Sequence, residues 1–338
     1  MFKPELLKSL KGYNSKIFLK DLSAGIIVGI VALPLAIAFA IASGVEPERG
    51  IYTAIIAGFL ISVLGGSKVQ IGGPTGAFVV IVYGVIQNFG YSGLMIATIL
   101  AGILLVLMGA FKLGGLVKFI PYTIITGFTA GIAVTIFTTQ IGDFFGLTTG
   151  KMPGDFVGKI KVYAECFNTI NWYSFGMALV SLVIIFLWPK INKKIPGSLI
   201  VIILATLVNL LINKTLGWQT DTIGSRYGAI PSSLPAPTLP TFNLNQIVDL
   251  FPTAISIAVL AAIESLLSAV VADGMIGSKH DSNTEFIAQG IANIASPIFF
   301  VIPATGAIAR TATNIKNGRK APIAGIIHAV VLLLIMLL

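Results

Sequence analysis

The stretch VIPATGAIARTATN, Val301 to Asn314, decides the fold. It lies among long apolar runs, yet it does not read as a plain membrane helix. Pro303 and Gly306 break or start a helix, and Thr305, Thr311, Thr313 and Asn314 are polar. Arg310 puts a full charge in a segment expected at bilayer depth, where charge is costly and marks a substrate or ion path. A half-length helix beginning after Pro303 would aim its free N–H groups and positive dipole end inward. The stretch is therefore expected to form one half of an anion site.

The surrounding chain fits a membrane setting. Of 338 residues, 56% are hydrophobic and 10% charged, against about 25% charged in soluble domains. Apolar segments recur at 23–43, 50–66, 71–88, 92–111, 119–145, 172–189, 196–213, 251–275, 284–300, 302–314 and 322–338, most of them close to the length that spans a bilayer. This predicts an all-α polytopic membrane protein in which the third and tenth segments are short or broken. With the N-terminus in the cytoplasm, 15 of the 22 basic residues fall on the cytoplasmic side, Lys68, Lys112, Lys118, Lys190, Lys193, Lys194, Lys279, Lys316, Arg319 and Lys320 among them. Arg49, Lys151, Lys159, Lys161, Lys214 and Arg226 fall outside, and the bias predicts that orientation in the inner membrane. The net charge of +9 is assigned to these loops and not to nucleic-acid binding. The single cysteine, Cys166, excludes an internal disulfide and a cysteine metal cluster.

Residues 1–20 read either as a short amphipathic surface helix, with Leu6, Leu7, Leu10 and Ile17 among five lysines, or as a solvated basic tail. No cleavable signal peptide is visible. Gly25/Gly29 and Gly127/Gly131 are G-x-x-x-G pairs assigned to helix packing. GAIPSSLPAPTLP, residues 228–240, predicts a stiff extended strap on the outer face.

The third segment contains GGPTGAF, Gly72 to Phe78, and the tenth contains PATGAI, Pro303 to Ile308. Thr75-Gly76-Ala77 and Thr305-Gly306-Ala307 are the same tripeptide 230 positions apart. The same offset carries Pro34, in the first segment, onto Glu264, in the eighth. Seven segments separate the starts of the two copies. An odd number reverses direction in the membrane, so the pattern predicts an inverted repeat with two half-helices meeting near the midplane. Their unpaired N–H groups and the Arg310 guanidinium suit an anion.

These motifs, with LSAGIIVGIVALPLAIAFAIASGVEPERGIYTAII and AAIESLLSAVVADGM, make the chain resemble the SulP anion transporters, the sulfate-permease family related to solute carrier family 26. The resemblance implies a 7+7 inverted-repeat fold with core and gate domains and a following STAS domain. It also implies an elevator-type mechanism, with substrate between segments 3 and 10, and a homodimer in the full-length family. On that pattern the domains are 1–22, a cytoplasmic segment; 23–213, the first repeat; 214–250, the Pro-rich connection; and 251–338, a partial second repeat. The sequence then ends at Leu338 inside the eleventh segment, before segments 12–14 and the STAS domain, as a fragment or a shortened gene does. Leu35 and Phe39 stand where many members carry a Gln and an aromatic hydroxyl, making that wall of the site more apolar.

The candidate substrate cradle is Thr75, Gly76, Ala77, Phe78, Thr305, Gly306, Ala307, Ile308 and Arg310. Helix capping and close packing are the alternative for the T-G-A backbone. Glu264, a carboxylate at bilayer depth, is the candidate proton-coupling residue. In plant and bacterial relatives the matching Glu is implicated in proton coupling, beside an arginine matching Arg310. A structural ion pair with Arg310, or a cation site with Ser268 and Thr305, are the other readings. Asp273, Lys279, His280 and Asp281 read as a solvated loop and not a metal site, and His328 as a packed or lipid-interface histidine. No cofactor and no enzymatic activity are expected. The expected function is proton-coupled symport of sulfate, bicarbonate or a small dicarboxylate. An uncoupled exchanger or channel, a sodium-coupled bicarbonate symporter and a non-transporting anion-binding fragment are the alternatives. Xanthine/uracil-type permeases share the 7+7 architecture, but the charged IART sequence and the proline strap argue against a nucleobase.

Overall fold

The computed structural model describes residues 2–115, 122–150, 152–153, 155–192, 197–216, 220–239, 244–318 and 321–338. Lys118, Lys151, Lys193, Lys194, Arg319, Lys320, Pro240 and the first residues of the fifth and seventh segments lie outside them. The elements run α1 (Glu5–Ser9), α2 (Ser15–Ala42), α3 (Pro47–Leu64), β1 (Gly72–Gly73), α4 (Val79–Ala110), α5 (Tyr122–Phe145), α6 (Phe156–Glu165), α7 (Trp172–Ile191), α8 (Gly197–Leu216), α9 (Ile223–Tyr227), α10 (Leu244–Ile276), α11 (Ser282–Ala295), β2 (Thr305–Gly306), α12 (Ile308–Lys316) and α13 (Ile323–Leu337). Six of the described helices are long and apolar enough to cross a membrane. The fold is an all-α inverted repeat whose strands, among the described residues, are confined to the two broken segments.

Local chemistry sets the boundaries. Asn14 caps α2 by accepting from the Ile17 amide at 3.0 Å. Pro47 opens α3 at its first turn, where a missing N–H costs nothing. Asp281 caps α11 by accepting from the amides of Asn283 and Thr284, both at 3.1 Å. Gly90, at φ 64, breaks α4, so the third and fourth segments form one kinked rod.

The chain divides into two compact units, Met1–Thr126 with Ile230–Leu338, and Gly127–Ala229. This partition cuts across the repeat boundaries drawn from the sequence, because packing follows space and not chain order. In the first unit α2, α3 and α13 share a core of Ala32, Ala36, Ile51, Ala54, Val301 and Leu332. Small residues bring the helices together, as dispersion packing in lipid requires. Gly102 of α4 and Gly290 of α11 face each other, and a Cβ on either would come within 2.7 Å of the other's carbonyl oxygen. Gly25 packs on the Ala324 carbonyl, and Gly29 on Val331. Gly127 and Gly131 meet nothing within 4 Å, so the packing expected of that pair is absent among the described residues.

The N-terminus forms a short helix, α1, and is not a free tail. The Glu5 amide donates to the Gly65 carbonyl at 2.9 Å, and residues 15–20 already belong to α2. The strap is pinned: Ser233 accepts from the Tyr52 hydroxyl at 3.2 Å, and the Thr238 amide donates to Ile298 at 2.8 Å. In the second unit Phe145 stacks on Phe175 with centroids 5.3 Å apart. Arg226 pairs with Asp143 at 2.6 Å, an exposed pair worth under about 1 kcal/mol.

Candidate functional site

The two T-G-A segments meet. β1 and β2 pair antiparallel, with Gly72 opposite Gly306 and Gly73 opposite Thr305. One step further in that register, Pro74 faces Ala304, and these two positions are 230 apart, the offset of the sequence echo. A helical start follows each strand. Gly76–Phe78 forms a 3₁₀ turn that continues into α4, and α12 begins at Ile308. The half-helix therefore starts not after Pro303 but five residues later, because Thr305 and Gly306 are used to pair with β1. First-turn N–H groups lack an intrahelical acceptor, so both starts present donors and a positive dipole end to the same region.

Two charges flank this pair. Thr75 donates its hydroxyl to Glu264 Oε2 at 2.7 Å. Arg310 is 2% exposed, and its Nη2 donates to the Pro74 carbonyl. Its Nη1 has no partner. A Cβ on Gly73 would strike the guanidinium, so that position requires glycine for contact as well as for its φ of 150. No ion pair joins Glu264 to Arg310 among the described residues. The hydrogen bonds of the two groups run instead to β1 and its flanking residues, Glu264 to Thr75 and Arg310 to Pro74.

The remaining candidates separate. Thr305 is fully buried and donates to the Ala261 carbonyl at 3.0 Å. Ser268 points its hydroxyl at Thr311 Oγ1, 3.4 Å away. Thr311 Oγ1 also accepts from the Ile71 amide at 3.1 Å. The hydroxyls of Ser268 and Thr305 are thus committed elsewhere and do not join Glu264 in a common cluster. Ala77 and Phe78 are buried, and Ala307 donates its N–H to Ile71 at 2.8 Å. Leu35 and Phe39 are partly buried on α2.

Sequence reasoning missed the polar residues that hold the strands. Asn293 clamps Ala304 from both sides, accepting its N–H at 2.9 Å and donating to its carbonyl at 2.8 Å. Thr53 accepts from the Ile302 amide at 3.0 Å. Gln70 donates to Ser265, and Asn314 to the Val69 carbonyl. A signal was present: Glu285, Gln289 and Asn293 recur every four residues, which places three polar groups on one face of α11 among apolar neighbours such as Phe286, Ile287 and Ile291.

The loop after α10 is not simply solvated. His280 Nδ1 lies 2.7 Å from Asp273 Oδ2, and His280 Nε2 lies 2.9 Å from the Ser282 hydroxyl. His328 is fully buried beside Gly58, and so is a packed residue.

Residues 18–338 match the sulfate permease family. The putative sulfate transporter YvdB of Bacillus subtilis is 53% identical over 327 residues, covering 97% of this chain and 61% of its own length. The bicarbonate transporter BicA of Picosynechococcus is 31% identical, covering 94% of this chain and 57% of its own. The chain thus spans about three-fifths of the length of these two relatives. Its structure is similar to the transmembrane domain of a cyanobacterium bicarbonate transporter BicA, with a TM-score of 0.85 at 32% identity over 96% of this chain and 83% of that one. SLC26A9 gives the same TM-score at 22% identity over 98% of this chain and 56% of that one, a likeness of fold. Paired broken segments, a buried arginine at their junction and these similarities agree: the chain belongs to the sulfate permease family.

Proposed function

We propose that this chain carries the anion site of a secondary active transporter that moves a small oxyanion or carboxylate together with a proton. The observation that carries the reading is the buried Arg310, whose Nη1 has no partner, beside the paired strands β1 and β2. A buried guanidinium needs an acceptor. A small oxyanion supplies that acceptor in a charge-assisted hydrogen bond. The names of the relatives, sulfate and bicarbonate transporters, support that substrate class.

Glu264 sets the coupling in this reading. When ionised, it accepts from Thr75 and offsets the charge of Arg310. When protonated, it leaves the site with a net positive charge, which favours the anion. Binding of proton and anion is then mutually reinforcing, as thermodynamic linkage requires. The unit of Met1–Thr126 with Ile230–Leu338 would serve as the moving core, and that of Gly127–Ala229 as part of the gate. The lysine bias of the loops supports a cytoplasmic N-terminus.

The test is sulfate and bicarbonate binding and uptake by the purified chain across pH. Affinity rises as pH falls in the wild type. Glu264→Gln, fixed in the neutral form, binds with a pH-independent affinity and loses acceleration by an inward proton gradient. A pH slope that survives in Glu264→Gln removes Glu264 from the coupling.

A further inference from the structure

Glu285 lies in the first turn of α11 and is fully buried, with 0% of its surface exposed. Among the described residues no cation forms an ion pair with it. Neutral donors hold it instead. The Gly66 amide donates to Oε2 at 2.8 Å, and Gln289 Nε2 to Oε1 at 2.9 Å. The Ser265 hydroxyl lies 3.5 Å from Oε1. Both carboxyl oxygens act as acceptors in these contacts.

These donors lead to both strands of the site. Gly66 opens the short connection to β1, and its carbonyl accepts from Asp281 at 3.1 Å, which fixes it to the start of α11. On the other side Gln70 Nε2 donates to the Ser265 hydroxyl oxygen and to the Ser265 carbonyl, both at 3.1 Å. The same hydroxyl donates to Glu285 Oε1 at 3.5 Å, so it serves both partners. The Gln70 amide then forms the wall behind Gly306, where any Cβ would overlap it. A continuous chain of buried side chains thus runs from Glu285 through Ser265 and Gln70 to the backbone of β2.

We propose that Glu285 is a positioning residue for the anion site, holding β1 through Gly66 and β2 through Ser265 and Gln70. The proposal builds on the anion-site reading, but its geometry does not depend on which anion binds. A carboxylate is required because glutamine of the same size would present N–H groups to donors that need acceptors.

Hydrogen–deuterium exchange on the purified chain in detergent tests this directly. In Glu285→Gln the amides of residues 70–76 and 302–308 exchange about tenfold faster or more, while α7 and α8 keep wild-type rates. Ser265→Ala breaks the same chain without adding a buried group, and it loosens 302–308 alone. The double variant shows no further acceleration of 302–308, since residues acting through one network are not additive. Glu285→Asp, which keeps the carboxyl acceptors, restores most of the protection in both strands. The proposal is overturned by unchanged exchange in 302–308, by acceleration spread equally to α7 and α8, by additive effects in the double variant, or by a Glu285→Asp as loose as Glu285→Gln. Sulfate and bicarbonate affinity measured on the same samples falls about tenfold with the loosening. If the wild type binds neither ion, the anion reading falls, and the exchange pattern still decides the role of Glu285.

Discussion

The two T-G-A segments carry the same three residues and use them differently. Thr75 spends its hydroxyl on the Glu264 carboxylate, and Thr305 spends its own on the Ala261 backbone. Both partners lie on α10, three residues apart. The first copy is therefore tied to a titratable group, and the second to a helix backbone. The fixed charge sits on the second copy, where Arg310 reaches back to Pro74 in the first. A repeated sequence has supplied repeated backbone, while each copy's neighbours give its threonine a different partner.

Arg310→Ala removes the permanent charge and is expected to have the largest effect. Sulfate and bicarbonate affinity falls by about 2–5 kcal/mol, or at least about 30-fold, as when one partner of a buried charge contact is lost. Titration calorimetry on the purified chain measures it, and unchanged affinity would take Arg310 out of the site. Gly306→Ala comes next. Its Cβ has to displace the Gln70 amide, an overpacking cost of about 1–3 kcal/mol that thermal unfolding reads as a lowered Tm. Gly127→Ala, where a Cβ meets nothing, stays within about 0.5 kcal/mol of wild type.

The finest test sets one threonine against the other. Thr75→Val loses a hydrogen bond to a charged group, about 1.5–3 kcal/mol, and Thr305→Val a neutral one, about 0.5–1.5 kcal/mol. Only Thr75→Val changes the pH dependence of anion binding, because only Thr75 touches Glu264. If the two variants shift that dependence equally, the division of labour between the copies is lost.

Much of this was legible in the residues. Composition fixed the membrane class, the tripeptide echo located the two broken segments, and Arg310 and Glu264 stood out because charge at bilayer depth is expensive. What stayed hidden were contacts between distant segments. The T-G-A of the tenth segment reads as a helix start, yet its first two residues are strand, because β1 offers a partner that only the fold brings near. Gln70, Ser265 and Glu285 looked unremarkable one by one, since a buried polar residue declares itself only through what it touches. The direct partners of Glu264 and Arg310, Thr75 and Pro74, were hidden for the same reason.

The sequence by itself determined the repeat, its inversion and which two residues bear the charge, because periodicity and the cost of burying polar groups act locally and in order along the chain. Only the tertiary structure decided the antiparallel register of β1 and β2, the partner of each hydroxyl and the path from Glu285 to Gly306. Hydrogen bonds between residues some 200 positions apart depend on distances of a few tenths of an ångström, which no pattern of residue types encodes.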